Sequence, residues 1–294
     1  IDINPLAIKI SNAKTQKIND DALRSLIGWL QRKAKESESP RSVELFAGSD
    51  KWFRKDVSFA ISNILDKIAG LDEETRNFAE VGLSSILKGI SNARMDRTIP
   101  TLPKTVKYYD FKHNRDVDNE KRELNVYSRL AARLRRMQYA LKEFHLLAAN
   151  DAPCIPILGD SRKLTKHLSE RGVDRVNLIV TSPPYWNAQD YQGMHALSFK
   201  LFGLKMPGDL EIGQDGKGYL GDMRLFIREV ARILDGKIAF VIGEARDGTH
   251  EELFRMFIDE GFEELQSIKR KITMHAFFAK GVKNEYIYVF QNSV

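Results

Sequence analysis

The sequence predicts an α/β fold, a largely parallel and doubly wound sheet interrupted by a large helical insert. Three observations carry that expectation. Val176-Asn177-Leu178-Ile179-Val180 is a short, β-branched apolar run that stops abruptly at Ser182-Pro183-Pro184-Tyr185, the pattern of a buried parallel strand followed by a stiff turn. From Asp151 onward, strand-like and helix-like stretches alternate, as parallel sheets require. Residues 51–150, by contrast, show helical apolar spacing and no convincing strand.

Composition bounds the possibilities. The 294 residues suffice for one large domain or for a core domain plus a second module. A hydrophobic share of 43% with 29% charged residues is ordinary for a soluble globular protein. No run of 18 apolar residues and no signal-peptide pattern occur, so neither membrane insertion nor secretion is implied and a cytoplasmic location is expected. A single Cys154 excludes an intramolecular disulfide and a multi-cysteine metal site; no metal is expected. Its place at the start of an apolar strand pattern predicts a buried structural thiol. The net charge of +6 permits a polyanionic partner without establishing one.

Taken in order, Ile1-Asp2-Ile3 reads as the tail of a strand, and Asn4-Pro5 opens a helical stretch over residues 5–35. Leu6, Ile10, Ile18, Leu23, Leu26, Ile27 and Leu30 supply its apolar positions. Lys33 to Ser42 is polar and reads as a loop. Phe59, Ile61, Ile64, Leu65 and Ile68 support one helix; Phe78, Val81, Leu83, Ile86 and Leu87 support a second. Ile99-Pro100 to Tyr109 reads as an extended arm, and Asp110 to Glu120 as a mobile loop. Tyr127, Leu130, Leu134, Met137, Leu141 and Phe144 then predict an amphipathic helix over about 122–148.

Basic charge concentrates in this region. Between Lys88 and Glu143 there are fourteen Lys/Arg and seven Asp/Glu, a difference of +7 against +6 for the whole chain. Arg129, Arg133 and Arg136 share one helix face, which reads either as a grip on nucleic-acid phosphates or as a solvated face with ion pairs. Ser91-Asn92-Ala93-Arg94 is a polar cluster after a helical pattern, with no role derivable from sequence.

Beyond Asp151, Ile155–Leu158 is a candidate strand ended by Gly159-Asp160, followed by a helix over Leu164 to Arg171. Residues 188–220 are rich in Gly and aromatic residues and read as a lid; His195 within them reads as structural. Tyr219–Leu234 is a helix, Ile238–Gly243 a strand, and Glu251–Glu260 a helix capped by Gly261. Phe262–Ile272 and Glu285–Phe290 are the last two strands.

The turn after Val180 suits one chemistry. Ligands of open α/β sheets bind just past the carboxyl ends of parallel strands. Two prolines in succession have fixed φ and no N–H, and so can hold the Ser182 and Pro183 carbonyls outward. An aromatic amino group is a poor nucleophile because its lone pair is delocalised. Acceptors aimed at its N–H bonds, here the Ser182 hydroxyl and the Pro183 carbonyl, would free that lone pair. Tyr185 could stack on a base taken out of its helix. The competing reading is a proline-stiffened loop with a packed tyrosine.

These residues resemble motif IV of the S-adenosylmethionine-dependent DNA amino-methyltransferases, in the Ser-Pro-Pro-Tyr-Trp subgroup. Ile155-Pro156-Ile157-Leu158-Gly159-Asp160-Ser161-Arg162 resembles the preceding strand and turn of that family, and Ile1-Asp2-Ile3-Asn4-Pro5-Leu6-Ala7 its second cofactor motif. The resemblance covers residues 1–15 and about 150–294. It implies a Rossmann-like methyltransferase fold that lacks its first strand in this chain, since that strand and its Gly-rich cofactor loop are expected before residue 1. Val43–Asp50 has a similar look, but Asp50 stands where the last Gly of the loop belongs and the order is wrong. The implied domains are the start of the catalytic domain at 1–20, a helical insert and DNA-recognition region at 21–150, and the catalytic remainder at 151–294.

By the same resemblance, Ser182, Pro183, Pro184 and Tyr185 are catalytic. Asp2, Asn4, Pro5, Asp160, Ser161 and Thr181 would bind S-adenosylmethionine; for Asp2 and Asp160 the plainer reading is a helix cap. Arg129, Arg133, Arg136, Trp186, Asn187 and Tyr191 would touch double-stranded DNA. The implied reaction is methylation of an exocyclic amino group, with cytosine N4 favoured over adenine N6 because Ser at position 182 is commoner among cytosine enzymes. A restriction endonuclease is the implied partner in a restriction–modification pair. Carbon-5 methylation is not implied, because Pro153-Cys154 precedes its strand instead of following one. Three other readings stay open: an RNA methyltransferase, a protein-amide methyltransferase, and a catalytically dead DNA-binding fragment.

Overall fold

The computed structural model describes residues 1–37, 39–95, 97–102, 109–110, 115–116, 124–148, 153–184, 190–205, 218–244, 248–271 and 284–292. The chain forms two compact units. One comprises residues 4–156 with 191–206, the other residues 1–3, 157–190 and 207–294.

The first unit is helical. Helices α1 (Pro5–Thr15), α2 (Asp20–Lys33), α3 (Lys55–Ala69), α4 (Glu73–Ile90) and α5 (Val126–Leu147) surround one apolar core. The single helix expected over residues 5–35 is two, because Asn19 caps α2 by accepting from the Asp21 and Ala22 N–H groups. Leu23, Leu26, Ile27 and Leu30 of α2 are buried, an i, i+3, i+4, i+7 stripe. On α5, Val126, Tyr127, Leu130, Ala131, Leu134 and Leu141 are buried against the same core. The crossing of α4 and α5 depends on Gly82: a Cβ there would lie 2.6 Å from a Leu134 methyl. Tyr127 anchors the interior, edge-on to Trp29 at 5.9 Å and accepting from the Asn63 amide at 3.0 Å.

Several expectations change here. Residues 191–205 do not form a lid. They make two short helices, Tyr191–Met194 and Ala196–Leu201, in the helical unit, with Leu197 and Phe199 buried and the Ser198 and Ser84 hydroxyls 2.7 Å apart. The physical reason is Leu197, which joins the apolar core of the helical unit with Leu201 and Phe202 packed against it. Residues 206–217 of that stretch lie outside the described residues. The Asp110–Glu120 loop contains part of a two-residue antiparallel ladder, Tyr109–Asp110 with Arg115–Asp116. Ser91–Arg94 closes α4: the Ser91 hydroxyl donates to the Lys88 carbonyl and accepts from the Ala93 N–H, while the Asn92 N–H reaches the Trp52 carbonyl.

The second unit holds the sheet. Strands β1 (Val176–Thr181), β2 (Leu234–Gly243), β3 (Phe262–Lys271) and β4 (Asn284–Asn292) lie in the spatial order β1-β2-β4-β3. β1 and β2 are parallel, and β4 is antiparallel to both β2 and β3. The carboxyl ends of β1, β2 and β3 therefore share one end of the sheet with the start of β4. Among the described residues of this unit are the α-helices α6 (Leu164–Ser169), α7 (Tyr219–Ile233) and α8 (Thr249–Asp259). Met223, Ile227 and Val230 of α7 and Leu253, Met256 and Phe257 of α8 pack on Ile238, Phe240 and Ile242 of β2 and Tyr288 and Phe290 of β4. Phe257 stacks on Phe290 at 4.5 Å. Gly236 makes the β1–β2 pairing possible: its φ is +149° and a Cβ would lie 2.2 Å from the Asn177 carbonyl oxygen.

The strand expected at Ile155–Leu158 shrinks to one parallel bridge between Asp2 and Leu158, in which the Asp2 N–H donates to Ile157 O and the Gly159 N–H to Asp2 O, each at 3.0 Å. With so little pairing, Ile155 and Leu158 stay exposed, and Cys154, expected to be buried, is exposed as well. No helix among the described residues is long and apolar enough to cross a membrane.

Candidate functional site

The candidate turn begins where β1 ends. Thr181, the last residue of β1, pairs with Phe240 of β2, so Ser182, Pro183 and Pro184 follow directly on the carboxyl end of the strand. Ser182 is exposed, Pro183 is buried and Pro184 is half-buried. A buried proline between an exposed serine and the chain beyond gives the turn a fixed footing and leaves the Ser182 side chain at the surface. Tyr185, Trp186 and Asn187 lie outside the described residues, as does the Tyr191 side chain; the Tyr191 backbone starts a short helix of the helical unit.

The expected cofactor residues separate into different local roles. Asp2 is exposed and sits in the bridge with Leu158. The helix cap is Asn4: its side chain accepts from the Leu6 N–H at 2.9 Å and the Ala7 N–H at 3.4 Å, and Pro5 occupies the first turn of α1. Asp160 caps the 3-10 turn Ser161–Lys163 by accepting from the Arg162 N–H at 2.9 Å. The Arg162 guanidinium also covers both carboxylate oxygens, from Nε to Oδ1 and from Nη2 to Oδ2, each at 3.0 Å. Burial works against the charged carboxylate, but the Arg162 side-chain and backbone hydrogen bonds outweigh it and hold the Asp160 pKa below the usual value. Arg162 in turn reaches Asp222 on α7 at 2.6 Å, and Glu229 on α7 accepts from the Thr165 N–H at 2.8 Å. These bonds pin the Gly159-Asp160 turn and α6 to α7.

That arrangement tests the fit of S-adenosylmethionine. An adenine amino group needs a carboxylate with an open lone pair. Asp160 is 8% exposed and both of its oxygens accept from Arg162, so in this conformation a further donor would have to share the carboxylate with the guanidinium. The Val43–Asp50 segment does not supply a cofactor loop. No strand precedes it among the described residues, and Gly48, at φ +74°, starts the four-residue helix Ser49–Trp52. No group of three or more His, Cys, Asp or Glu side chains among the described residues is placed to hold a metal ion.

The arginines of α5 also divide. Arg129 and Arg136 are exposed, Arg133 is half-buried. Arg129 Nη1 reaches the Gly89 carbonyl at 3.4 Å, where a cation suits the carboxyl end of α4. His195, read as structural, starts the helix Ala196–Leu201, and burial lowers its pKa.

One cluster at the carboxyl end of the sheet was not anticipated. The Glu244 carboxylate, just past β2, accepts from Lys269 Nζ at 2.6 Å, from the Asn284 amide and from the Tyr286 hydroxyl at 3.2 Å. The Lys269 and Asn284 hydrogen bonds pull the Glu244 pKa down to about 2. Tyr286 stacks on His250 at 5.2 Å, and the Lys269 ammonium lies 5.1 Å from the Tyr286 ring centre. The sequence signal was weak, because β-register decides which charges meet, and register is not legible in a single chain.

Comparison with known proteins gives one curated relative. The chain is similar to the type II methyltransferase M.MjaII of Methanocaldococcus jannaschii, at 24% identity over 226 residues, 69% of this chain and 42% of that protein. It thus spans less than half the length of the curated relative it matches. Among solved structures, it aligns with TTHA0409 of Thermus thermophilus, provisionally assigned as a DNA modification methylase, at 25% identity over 45% of this chain and 50% of that one, with a TM-score of 0.29. A second structure of the same protein, complexed with S-adenosyl-L-methionine, aligns at 25% identity over 45% of this chain and 53% of that one, with a TM-score of 0.27. No protein-family model matches the chain.

Proposed function

We propose that this chain is part of a DNA methyltransferase that methylates an exocyclic amino group of a base, cytosine N4 in preference to adenine N6. The observation that carries the reading is the position of Ser182-Pro183-Pro184, directly at the carboxyl end of a strand paired in parallel with its neighbour. The similarity to a type II methyltransferase supports the same reaction class. S-adenosylmethionine would supply the methyl group as a sulfonium electrophile.

In this reading the chain's own residues act on the amino group. The Ser182 hydroxyl and Pro183 carbonyl accept its N–H bonds and hold it in line for attack, and the rigid diproline keeps both acceptors in place. Tyr185, Trp186, Asn187 and Tyr191 would receive the base and its neighbours. Asp2, Asn4, Pro5, Asp160, Ser161 and Thr181 remain the proposed cofactor contacts, with Asp160 sharing its carboxylate with Arg162. A restriction endonuclease of the same specificity and a cytoplasmic setting belong to this proposal.

Transfer of labelled methyl groups from S-adenosylmethionine to duplex DNA by the natural protein, followed by nucleoside analysis, tests it. N4-methylcytosine is the expected product. Labelling of RNA or protein, with DNA unlabelled, would replace the substrate class.

A further inference from the structure

β3 is polarised along its length. Glu263 and Glu264 stand at its amino end; Lys269, Arg270 and Lys271 stand at its carboxyl end, about 20 Å away at strand rise. The strand is an edge of the sheet, and every residue after Phe262 is exposed. Because β3 runs in the direction of β1 and β2, its basic end lies at the end of the sheet that carries the Ser182-Pro183-Pro184 turn.

Charges on an edge strand are a usual guard against sheet-to-sheet pairing. That need would be met by either sign at either end. It does not account for acid at one end and three consecutive cations at the other.

The cations are held in place with donors to spare. Lys269 uses one N–H on Glu244, and Arg270 meets Glu285 through Nε at 2.7 Å and Nη2 at 2.6 Å. An ammonium has three donors and a guanidinium five, so both can still bond phosphate oxygens. Their side chains are 48% and 59% exposed. Lys271 pairs in register with Asn284 and makes no ion pair with another described residue.

We propose that Lys269, Arg270 and Lys271 form a phosphate-contact strip for duplex DNA along the edge of the sheet, reached by Lys269 and Lys271 from one face and by Arg270 from the other, on the sheet unit and distinct from the arginine face of α5. The identity of the polyanion rests on the methyltransferase reading. Glu244 and Glu285 then act as positioning residues that fix two of the cations at a cost in local charge.

The test is fluorescence-anisotropy titration of a labelled random-sequence duplex with the 294-residue protein at several salt concentrations. Lys269→Ala/Arg270→Ala/Lys271→Ala should lower the slope of log K against log salt by about two to three units. Lys271→Gln, which breaks no ion pair with another described residue, should lower it by about one and guards against a triple variant that fails to fold. Glu244→Gln should strengthen binding and steepen the slope by up to about one unit, the reverse of what loss of a structural tie would do. An unchanged slope in Lys271→Gln and the triple variant overturns the strip. Weaker binding by Glu244→Gln removes Lys269 from it. Arg129→Ala/Arg133→Ala/Arg136→Ala separates the two proposals: a slope lost there and kept in the β3 variants leaves the DNA reading standing without the strip. Salt-insensitive binding by the unmodified protein, or preference for duplex RNA of the same sequence, overturns both.

Discussion

The two edges of the sheet are written in opposite chemistry. β1 carries no charged residue from Val176 to Thr181, and its Leu178 and Val180 are 63% and 70% exposed. β3 carries charges at both ends, Glu263 and Glu264 at one and Lys269, Arg270 and Lys271 at the other. Charge on an edge discourages pairing with a foreign strand, so β3 has the sequence of a finished edge. β1 has the apolar, β-branched sequence of a strand covered on both faces, and among the described residues it lies at an edge of the sheet. An edge designed for solvent and an edge designed for a neighbour can therefore be told apart within one sheet.

The contrast breaks most severely at the joint that holds β1. Gly236→Val would put a Cβ into the Asn177 carbonyl at a φ of +149°, and should cost about 3 kcal/mol or more and free β1 from β2. The matching glycine before β3, Gly261, has φ +90° but open space around a Cβ. Gly261→Ala should cost only about 1 kcal/mol. Denaturant unfolding of the two variants measures the difference; equal losses would mean that β1 is not seated on β2 as described.

The second effect concerns chemistry. If the β1 end carries the reaction, Ser182→Ala should lower kcat about 100-fold in the natural protein, with DNA affinity nearly unchanged, because the hydroxyl acts mainly in the transition state. Single-turnover methylation with a parallel binding titration reads both. Near-full turnover in Ser182→Ala would remove the turn from the mechanism.

What was legible in the sequence follows the same divide between local and long-range causes. Helix α5 and strands β2 and β3 are legible because apolar period is local, as is the buried stripe of α2, although the Asn19 cap that separates α2 from α1 is not read from the sequence. The turn after β1 was readable because Ser-Pro-Pro constrains itself. The stretch 191–205 was misread, since its glycines suggested a lid while its burial depends on a core assembled from distant helices. Asp160 accepts from the Arg162 N–H and guanidinium, a local contact that Arg two residues after Asp makes legible in the sequence. The Glu244 cluster needed the register of β2, β3 and β4, which no single stretch encodes.

Self-association sharpens the edge comparison with a smaller energetic effect. An apolar open edge should make the isolated protein associate as concentration rises. Val180→Lys places a charge on that strand and should shift the light-scattering mass toward the monomer. Leu265→Lys on β3, where the residue is 44% exposed and charges already flank it, should leave the mass unchanged. Both substitutions fall at exposed positions and should alter folding stability by only about 0.5 kcal/mol. If both variants associate alike, the open edge of β1 is not what drives association.

The smallest effect is the pH dependence of the finished edge. Glu244 ties β2 to Lys269 on β3 and to Asn284 and Tyr286 on β4, and its pKa falls from the usual 4.5 to about 2. A lowered carboxylate pKa means that the folded state binds the proton less readily than the unfolded chain. The tie's contribution is therefore complete above pH 4.5 and drains away as pH drops toward 2. The Glu244 side chain is 30% exposed and its Lys269 partner 48%, so solvent screens the pair and the effect should be small. Subtraction isolates it: Tm is followed from about pH 6 to about pH 2.5 for the unmodified protein and for Glu244→Gln, which keeps an acceptor without the charge. The gap should be largest at the upper end of that range and shrink below about pH 4 as the carboxylate protonates. A gap that stays constant down to the acid end would show that the Glu244 charge does not hold the strand ends together, and that β3 keeps its basic end in place by pairing with β4 alone.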